Sequence, residues 1–268
     1  MDKVVILAAG AGTRMQRHDR TAALTEAQAA HAAEGVKAMI PIDRPFLDYV
    51  LSNVAAAGYR RACLVIGPHH TAMREYYERL ECQRLRFDFA VQAIPLGTAD
   101  AVAAAAAFAG DDPFLVLNSD NHYPVDVLRQ LRTIQGNAVV GFTRAGLLAG
   151  GHIPGDRIAK FSVIEIDPDG NLRRIIEKPD PAVVDRLPEP ILISMNCWRF
   201  GPAILTACRS IEKSARGEYE IPDAVMYAIR QLGQQFRVLT SDQPVLDLST
   251  QRDVALVARR LAGVEVRL

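Results

Sequence analysis

Leu7-Ala8-Ala9-Gly10-Ala11-Gly12-Thr13-Arg14-Met15 follows an apolar run, Val4–Leu7, and decides how the rest of the chain is read. A short strand feeding a glycine-containing turn brings bare backbone N–H groups close to a phosphate. Arg14 adds a planar guanidinium fork that matches phosphate oxygens better than the point charge of a lysine. A nucleoside triphosphate suits such a turn. Two other phosphate loops are excluded. The dinucleotide fingerprint needs a third glycine where Thr13, Arg14 and Met15 stand, and the Gly-Lys-Ser/Thr tripeptide of the Walker loop is absent. Alone, Gly10-x-Gly12 equally suits an ordinary tight strand-to-helix turn, so its meaning depends on what accompanies it.

Outward from this stretch, strand-like and helix-like segments alternate. Val4–Ala8, Ala62–Ile66, Arg86–Gln92, Phe114–Asn118 and Ala138–Thr143 read as strands, with helices at Leu47–Ala57, Thr71–Leu80, Thr98–Phe108 and Val125–Ile134. Mostly apolar strands alternating with helices predict an α/β fold, a Rossmann-like, doubly wound, mainly parallel sheet covered on both faces. Ligands in such sheets bind beyond the carboxyl ends of the strands, where the glycine turn and Asn118-Ser119-Asp120 both fall. After Gly155 the pattern becomes α+β. Strands at Ile158–Ile166 and Leu172–Glu177 flank Asp167-Pro168-Asp169-Gly170, a strong turn signal. A strand at Ile191–Phe200 and helices at Pro202–Cys208, Ile221–Leu232 and Thr250–Leu261 follow, with a strand at Phe236–Leu239. No repeat or linker composition breaks the chain. A single domain over residues 1–268 is expected, with a first half to about residue 145 and a second, α+β lobe from about 146.

Composition narrows the function classes. Lys+Arg and Asp+Glu both number 31, so no basic field points to nucleic acid. No apolar run approaches the ~18 residues of a membrane span. Val4–Leu7 leads into Gly-Thr-Arg rather than a small-residue cleavage site, so no signal peptide is expected. The four cysteines, Cys63, Cys82, Cys197 and Cys208, form no Cys-x-x-Cys pair. Buried free thiols, a reducing cytoplasmic setting and no structural zinc are expected. The six histidines form no nucleophile–base set with serine or cysteine. Thr21–Gly35, with seven alanines, reads as a tolerated loop insertion or as a lid between Arg14 and Lys37.

Other residues carry chemistry in combination. Lys37 precedes the packed segment Ala38–Ile42, so its ammonium can be held near phosphates. Gln92 offers a donor and an acceptor to a nucleobase edge, and Gly97 lets the backbone approach a flat ring ahead of Thr98. Asp120 ends an apolar strand, and Asp247 ends the approach Val-Leu-Asp before a helix. Mg²⁺ is commonly held by one or two carboxylates plus substrate phosphates. Each residue singly also suits a plainer role, as a helix cap, a turn or a solvated lysine.

Taken in order, LAAGAGTRM, VKAMIPI, QAIPLGTADAV, VLNSDNHY, IIEKP, SMNCWRF, GEYEIPDAV and LDLST resemble the sugar-1-phosphate nucleotidyltransferases (sugar-nucleotide pyrophosphorylases) along nearly the whole chain. The glucose-1-phosphate thymidylyl and uridylyl branches are the nearest in pattern. The resemblance implies a nucleotide-binding Rossmann-like core fused to a sugar-binding half, and a Mg-assisted transfer of a nucleotide from UTP or dTTP to a glucose-type sugar 1-phosphate. It implies nucleotide contacts from Leu7, Ala8, Ala9, Gly10, Ala11, Gly12 and Thr13, and from Gln92, Pro95, Gly97 and Thr98. Arg14, Lys37 and Lys178 would act on the phosphates. Asp120 and Asp247 would hold Mg²⁺, and Glu177, Asn196 and Ser162 would face the sugar. The partners implied are the nucleoside triphosphate, the sugar 1-phosphate and, in some relatives, further copies of the chain.

Three departures from the family pattern stand out. The gap from Arg14 to Lys37 is long. Phe161-Ser162 replaces a Tyr-Gly pair whose glycine lies against the sugar. Ser249 stands where glycine is common. No hexapeptide repeat is present, so no β-helical acetyltransferase module is expected. The alternatives are transfer to a non-sugar phosphate and a non-catalytic sensor of sugar nucleotides. Intact Asp120, Asp247, Arg14 and Lys37 weigh against the sensor.

Overall fold

The computed structural model describes residues 1–150, 153–158, 160–177, 179–184 and 186–268. Its strands are β1 (Lys3–Leu7), β2 (Arg61–Ile66), β3 (Arg86–Val91), β4 (Phe114–Asn118), β5 (Asn121–His122), β6 (Asn137–Thr143), β7 (Ser162–Ile166), β8 (Leu172–Ile176), β9 (Leu192–Phe200), β10 (Phe236–Ser241) and β11 (Leu246–Asp247). The main sheet runs β10-β6-β9-β4-β1-β2-β3, with β7 beside β9 and β8 beside β7. Neighbours β1–β2, β2–β3, β1–β4 and β6–β10 are parallel. β9 runs against both β4 and β6 and so joins two parallel blocks.

The inner strands β1, β2, β4, β6 and β9 are largely buried and mostly apolar because both sheet faces are covered there. Alternate side chains of β1 enter opposite cores: Val4 and Ile6 pack on one face, Val5 on the other. The first face is closed by helices Phe46–Ala56 and Val125–Thr133. The second is closed by Thr98–Ala104, Ala203–Ser210 and Ile221–Leu232. The four cysteines are free thiols. Among the described residues no helix is long and apolar enough to cross a membrane.

Some expected elements change. The segment 158–166 begins as the end of a helical turn, Gly155–Ile158, and only Ser162–Ile166 is strand. The alanine-rich helix expected over Thr98–Phe108 divides at Ala105 into Thr98–Ala104 and Ala106–Ala109. The Asp167–Gly170 turn forms as expected, with Asp167 Oδ1 accepting from the N–H groups of Asp169 and Asn171. Thr21–Gly35 holds a helix, Glu26–Glu34, opened by a capping box between Thr25 and Gln28.

Candidate active site

Leu7 and Asn118 are register partners at the carboxyl ends of β1 and β4. The order of strands reverses there, β2 lying to one side of β1 and β4 to the other. A sheet opens its ligand crevice at such a switch point. A cavity of about 520 Å³ lies at this place, a usual size for a small-molecule site. Its wall includes residues 7–13, Lys37, the segment around Gln92, Pro95, Gly97 and Thr98, and Asp120. Arg14, Ser162, Glu177, Asn196 and Asp247 do not line it. Lys178 lies outside the described residues.

The glycine turn is held from behind by the inserted segment. Gly12 has φ +59°, and a Cβ there would sit 2.0 Å from the carbonyl oxygen of Gly35. Gly35, with φ +76°, would in turn drive a Cβ to 2.3 Å from the Ala11 oxygen. Only glycine at both positions lets the two backbones close on each other. Gly35 is also the left-handed cap that ends helix Glu26–Glu34. Lys37 follows two residues on, opening the 3₁₀ turn Lys37–Met39. The insertion therefore places Lys37 against the turn. From the other side, Gln251 Nε2 donates to the carbonyl of Met15 at 3.0 Å and fastens the helical turn Thr13–Gln16. Arg14 is exposed on that turn.

Lys37 Nζ meets Asp120 Oδ2 at 2.8 Å, with the two side chains 18% and 21% exposed. Burial alone would lower the lysine pKa, but Asp120, helped by Asp247, outweighs it and holds the pKa above its ordinary value. Lys37 is thus a fixed cation on the cavity wall.

Asp247 arrives from the far end of the chain. The β5–β11 pair puts it opposite Asn121, the neighbour of Asp120. Its Oδ1 accepts from Asn121 Nδ2 and Ser249 Oγ, each at 3.0 Å. Its Oδ2 faces Arg157 Nη1 at 3.1 Å, and Arg157 Nη2 reaches Asp253 Oδ1 at 2.9 Å. Burial and then the negative charge of Asp120 push the Asp247 carboxyl up to about 6, against Arg157 and Ser249. Two carboxylates are therefore held close enough to repel. Hard oxygen donors with excess negative charge fit a divalent cation such as Mg²⁺, which takes few protein ligands and completes its shell with phosphates and water. Among the described residues no group of three or more His, Cys, Asp or Glu forms a self-sufficient metal cage.

Of the remaining expected residues, Ser162 begins β7, Glu177 follows β8 and Asn196 lies in β9. The β7–β8 register sets Ser162 and Glu177 side by side, and Ser162 Oγ donates to Glu177 Oε2. Arg216 lies 3.9 Å from Glu177 Oε1 and donates through Nε to Glu220 Oε1 at 2.9 Å. Asn196 sits within β9 at φ +54°, its Oδ1 accepting from the indole of Trp198 at 3.2 Å. Arg157, Asp253 and Arg216 escape the sequence reading. Arg216 left a signal, because Arg216-Gly217-Glu218-Tyr219-Glu220 alternates charge across a glycine turn. Arg157 left none, as its partners lie 90 and 96 residues away.

Residues 3–253 match the family model described as nucleotidyl transferase. A glucose-1-phosphate thymidylyltransferase of Streptomyces antibioticus is 30% identical over 85% of this chain and 57% of its own length. The low-salt glycan biosynthesis nucleotidyltransferase Agl11 of Haloferax volcanii is 27% identical over 83% of this chain and 56% of its own. This chain thus spans little more than half the length of these two relatives. A UTP–glucose-1-phosphate uridylyltransferase of Haloferax volcanii, AglF, is 26% identical over 97% of this chain and 96% of its own. The crystal structure of a UDP-glucose pyrophosphorylase complexed with UDP-glucose superposes with a TM-score of 0.76 at 18% identity, covering 99% of this chain and all of that one. That likeness concerns the fold.

Proposed function

The chain belongs to the nucleotidyl transferase family, and from that premise we propose that it joins a nucleoside triphosphate to a sugar 1-phosphate, giving a nucleoside-diphosphate sugar and pyrophosphate. UTP or dTTP and a glucose-type sugar are the substrates favoured, in line with the thymidylyl- and uridylyltransferases among its relatives. One observation carries the reading: the half-buried Lys37–Asp120 pair, 2.8 Å apart, at the strand-switch cavity beside the glycine turn.

The reaction is an in-line displacement. A phosphate oxygen of the sugar 1-phosphate forms a bond to the α-phosphorus, and the bond to the β-phosphate oxygen breaks. A phosphate dianion is already nucleophilic, so alignment and charge neutralisation do most of the work. The N–H groups of the turn 10–13 cradle the triphosphate, with Arg14 at its rim. Lys37, kept charged and pointed by Asp120, neutralises phosphoryl oxygens. Mg²⁺ held by Asp120 and Asp247 supplies further neutralisation of the phosphates when bound. Gln92 and Gly97 meet the base. Ser162 and Glu177 form the sugar side and Asn196 supports it from β9, while Lys178 keeps the sugar-phosphate role that the family resemblance implies.

Pyrophosphate release with Mg²⁺ tests the proposal, with five nucleoside triphosphates run against a panel of sugar 1-phosphates. Release confined to particular pairs supports it. Nucleotide binding with no release from any pair, polyol phosphates included, contradicts it and favours a sensor.

A further inference from the structure

We infer that Glu218 accepts the ribose hydroxyls of the bound nucleotide and so makes the chain select ribonucleotides over 2′-deoxyribonucleotides. The inference rests on the reading of the cavity as a nucleotide site.

Three charged side chains stand on the cavity wall: Lys37, Asp120 and Glu218. Lys37 and Asp120 neutralise each other. Glu218 has no such partner. Among the described residues the one cation within 4.0 Å is Arg216, whose Nη2 stops at that distance from Glu218 Oε2. That guanidinium is spent on Glu220, to which it donates through both Nε and Nη2. No described group donates a hydrogen bond to the Glu218 carboxylate. It therefore offers the cavity two free acceptor oxygens and no donor.

The backbone holds this carboxylate in place. The Glu218 carbonyl accepts from Ser214 N–H, and the Ser214 carbonyl from Gly217 N–H, each at 2.8 Å, which closes the loop 214–218. Tyr219 N–H donates to the Leu96 carbonyl at 2.7 Å, and the Tyr219 carbonyl accepts from Ala99 N–H at 2.9 Å. Gly97, with φ +114°, packs so closely that a Cβ there would meet the Tyr219 oxygen at 2.3 Å. Glu218 is thus anchored to the wall segment of Leu96 and Gly97, and not to the glycine turn.

A free carboxylate repels phosphate oxygens and accepts from O–H donors. The phosphates belong to the turn 10–13 and Lys37, and the base to the Gln92–Gly97 wall. Between base and phosphates lies the ribose, whose 2′- and 3′-hydroxyls are neighbours on one face of the ring and suit the two oxygens of one carboxylate. Dinucleotide-binding folds use an acidic side chain on ribose in the same way. A 2′-deoxyribose would leave one Glu218 oxygen without its donor. The side chain is 47% exposed and makes no internal hydrogen bond, so its replacement leaves the packing intact.

The test is the equilibrium affinity of the full chain for UTP and dUTP, which differ only in the 2′-hydroxyl, measured by calorimetry without sugar phosphate. Wild type should bind UTP at least about tenfold more tightly, the worth of one hydrogen bond to a charged group. Glu218→Ala should bring the ratio close to one. Glu218→Gln, which keeps a neutral acceptor, should fall between. The ratio carries the test and the absolute affinity does not, because losing Glu218 also removes a negative charge from the surroundings of the triphosphate. Equal affinities in wild type overturn the inference, and so does an unchanged ratio in Glu218→Ala. Should that variant keep the wild-type ratio and lose affinity for glucose 1-phosphate instead, the carboxylate meets the acceptor sugar and the inference falls. A 2′-hydroxyl preference that follows Glu218 without any pyrophosphate release supports the inference while refuting the transferase. Pyrophosphate release with UTP and dUTP bound equally well does the reverse.

Discussion

Lys37 Nζ donates to Asp120 Oδ2 at 2.8 Å across 83 residues of sequence. The contact joins a turn that ends an inserted helix to the carboxyl end of a central strand. It makes each residue dependent on the other: the lysine gains a fixed direction and a held charge, and the aspartate keeps one oxygen for other work. Asp120→Asn and Lys37→Met should each lower the rate of pyrophosphate release by about 10²–10³, the usual effect of removing one preorganised charge from a reacting oxyanion. The double variant should fall far less than the product of the two single losses, because the pair acts as a unit. Steady-state rates of the three variants check this, and strict additivity would count against it.

Gly12→Ala should destabilise the protein by about 2 kcal/mol and weaken nucleotide binding. The added carbon would enter the Gly35 carbonyl at 2.0 Å from a left-handed backbone. Denaturant unfolding gives the first quantity and nucleotide titration the second. Gly10→Ala is the control for the stability measurement, since nothing lies within 4 Å of a Cβ at that position.

Much of the fold is legible from local pattern, because apolar runs of strand length and helices of 3.6 periodicity state their own identity. Helix Ile221–Leu232 forms with the limits its periodicity predicts. The turn 7–15, the Gln92–Thr98 segment and Asp120 meet because each ends or follows a parallel strand of one block. What local pattern does not carry is which distant strands pair. Nothing in Leu192–Phe200 states that it lies antiparallel between β4 and β6. The helix break at Ala105 falls inside a run of alanines, residues 103–107, that has no punctuating residue. Arg157 is silent for the same reason as β9, since its meaning exists only once Asp247 and Asp253 have folded beside it.

Arg157→Met should cost about 3 kcal/mol in the absence of divalent cations, because the buried carboxylates of Asp247 and Asp253 lose their counter-charge. Added Mg²⁺ should raise the melting temperature of this variant more than that of wild type. Thermal melts with Mg²⁺ and with EDTA measure the difference. Equal Mg²⁺ shifts in the two proteins would show that Asp247 does not meet the cation.

His70 should make stability fall on acidification. It is 5% exposed, and its Nδ1 accepts from the Gly67 N–H at 3.2 Å. Burial first, and the adjacent His69 second, hold its pKa below the ordinary 6.5. As pH drops below 6.5 the unfolded chain takes up this proton before the folded one does, so stability is lost as pH falls. His70→Gln keeps a side-chain acceptor without titrating. Urea unfolding at pH 7.5 and 5.5 should show a larger loss for wild type than for this variant.

The most direct measurement follows the α-phosphorus itself. UTP carrying radiolabel at that atom is incubated with glucose 1-phosphate and Mg²⁺, and the products are separated. The expected result is label in UDP-glucose, unlabelled pyrophosphate in equal amount, and neither product when the sugar phosphate is left out or Asp120 is changed to Asn. Label that stays in UTP with every nucleotide and sugar-phosphate pair tried, or that emerges as UMP without a sugar phosphate, would contradict transfer to a sugar 1-phosphate.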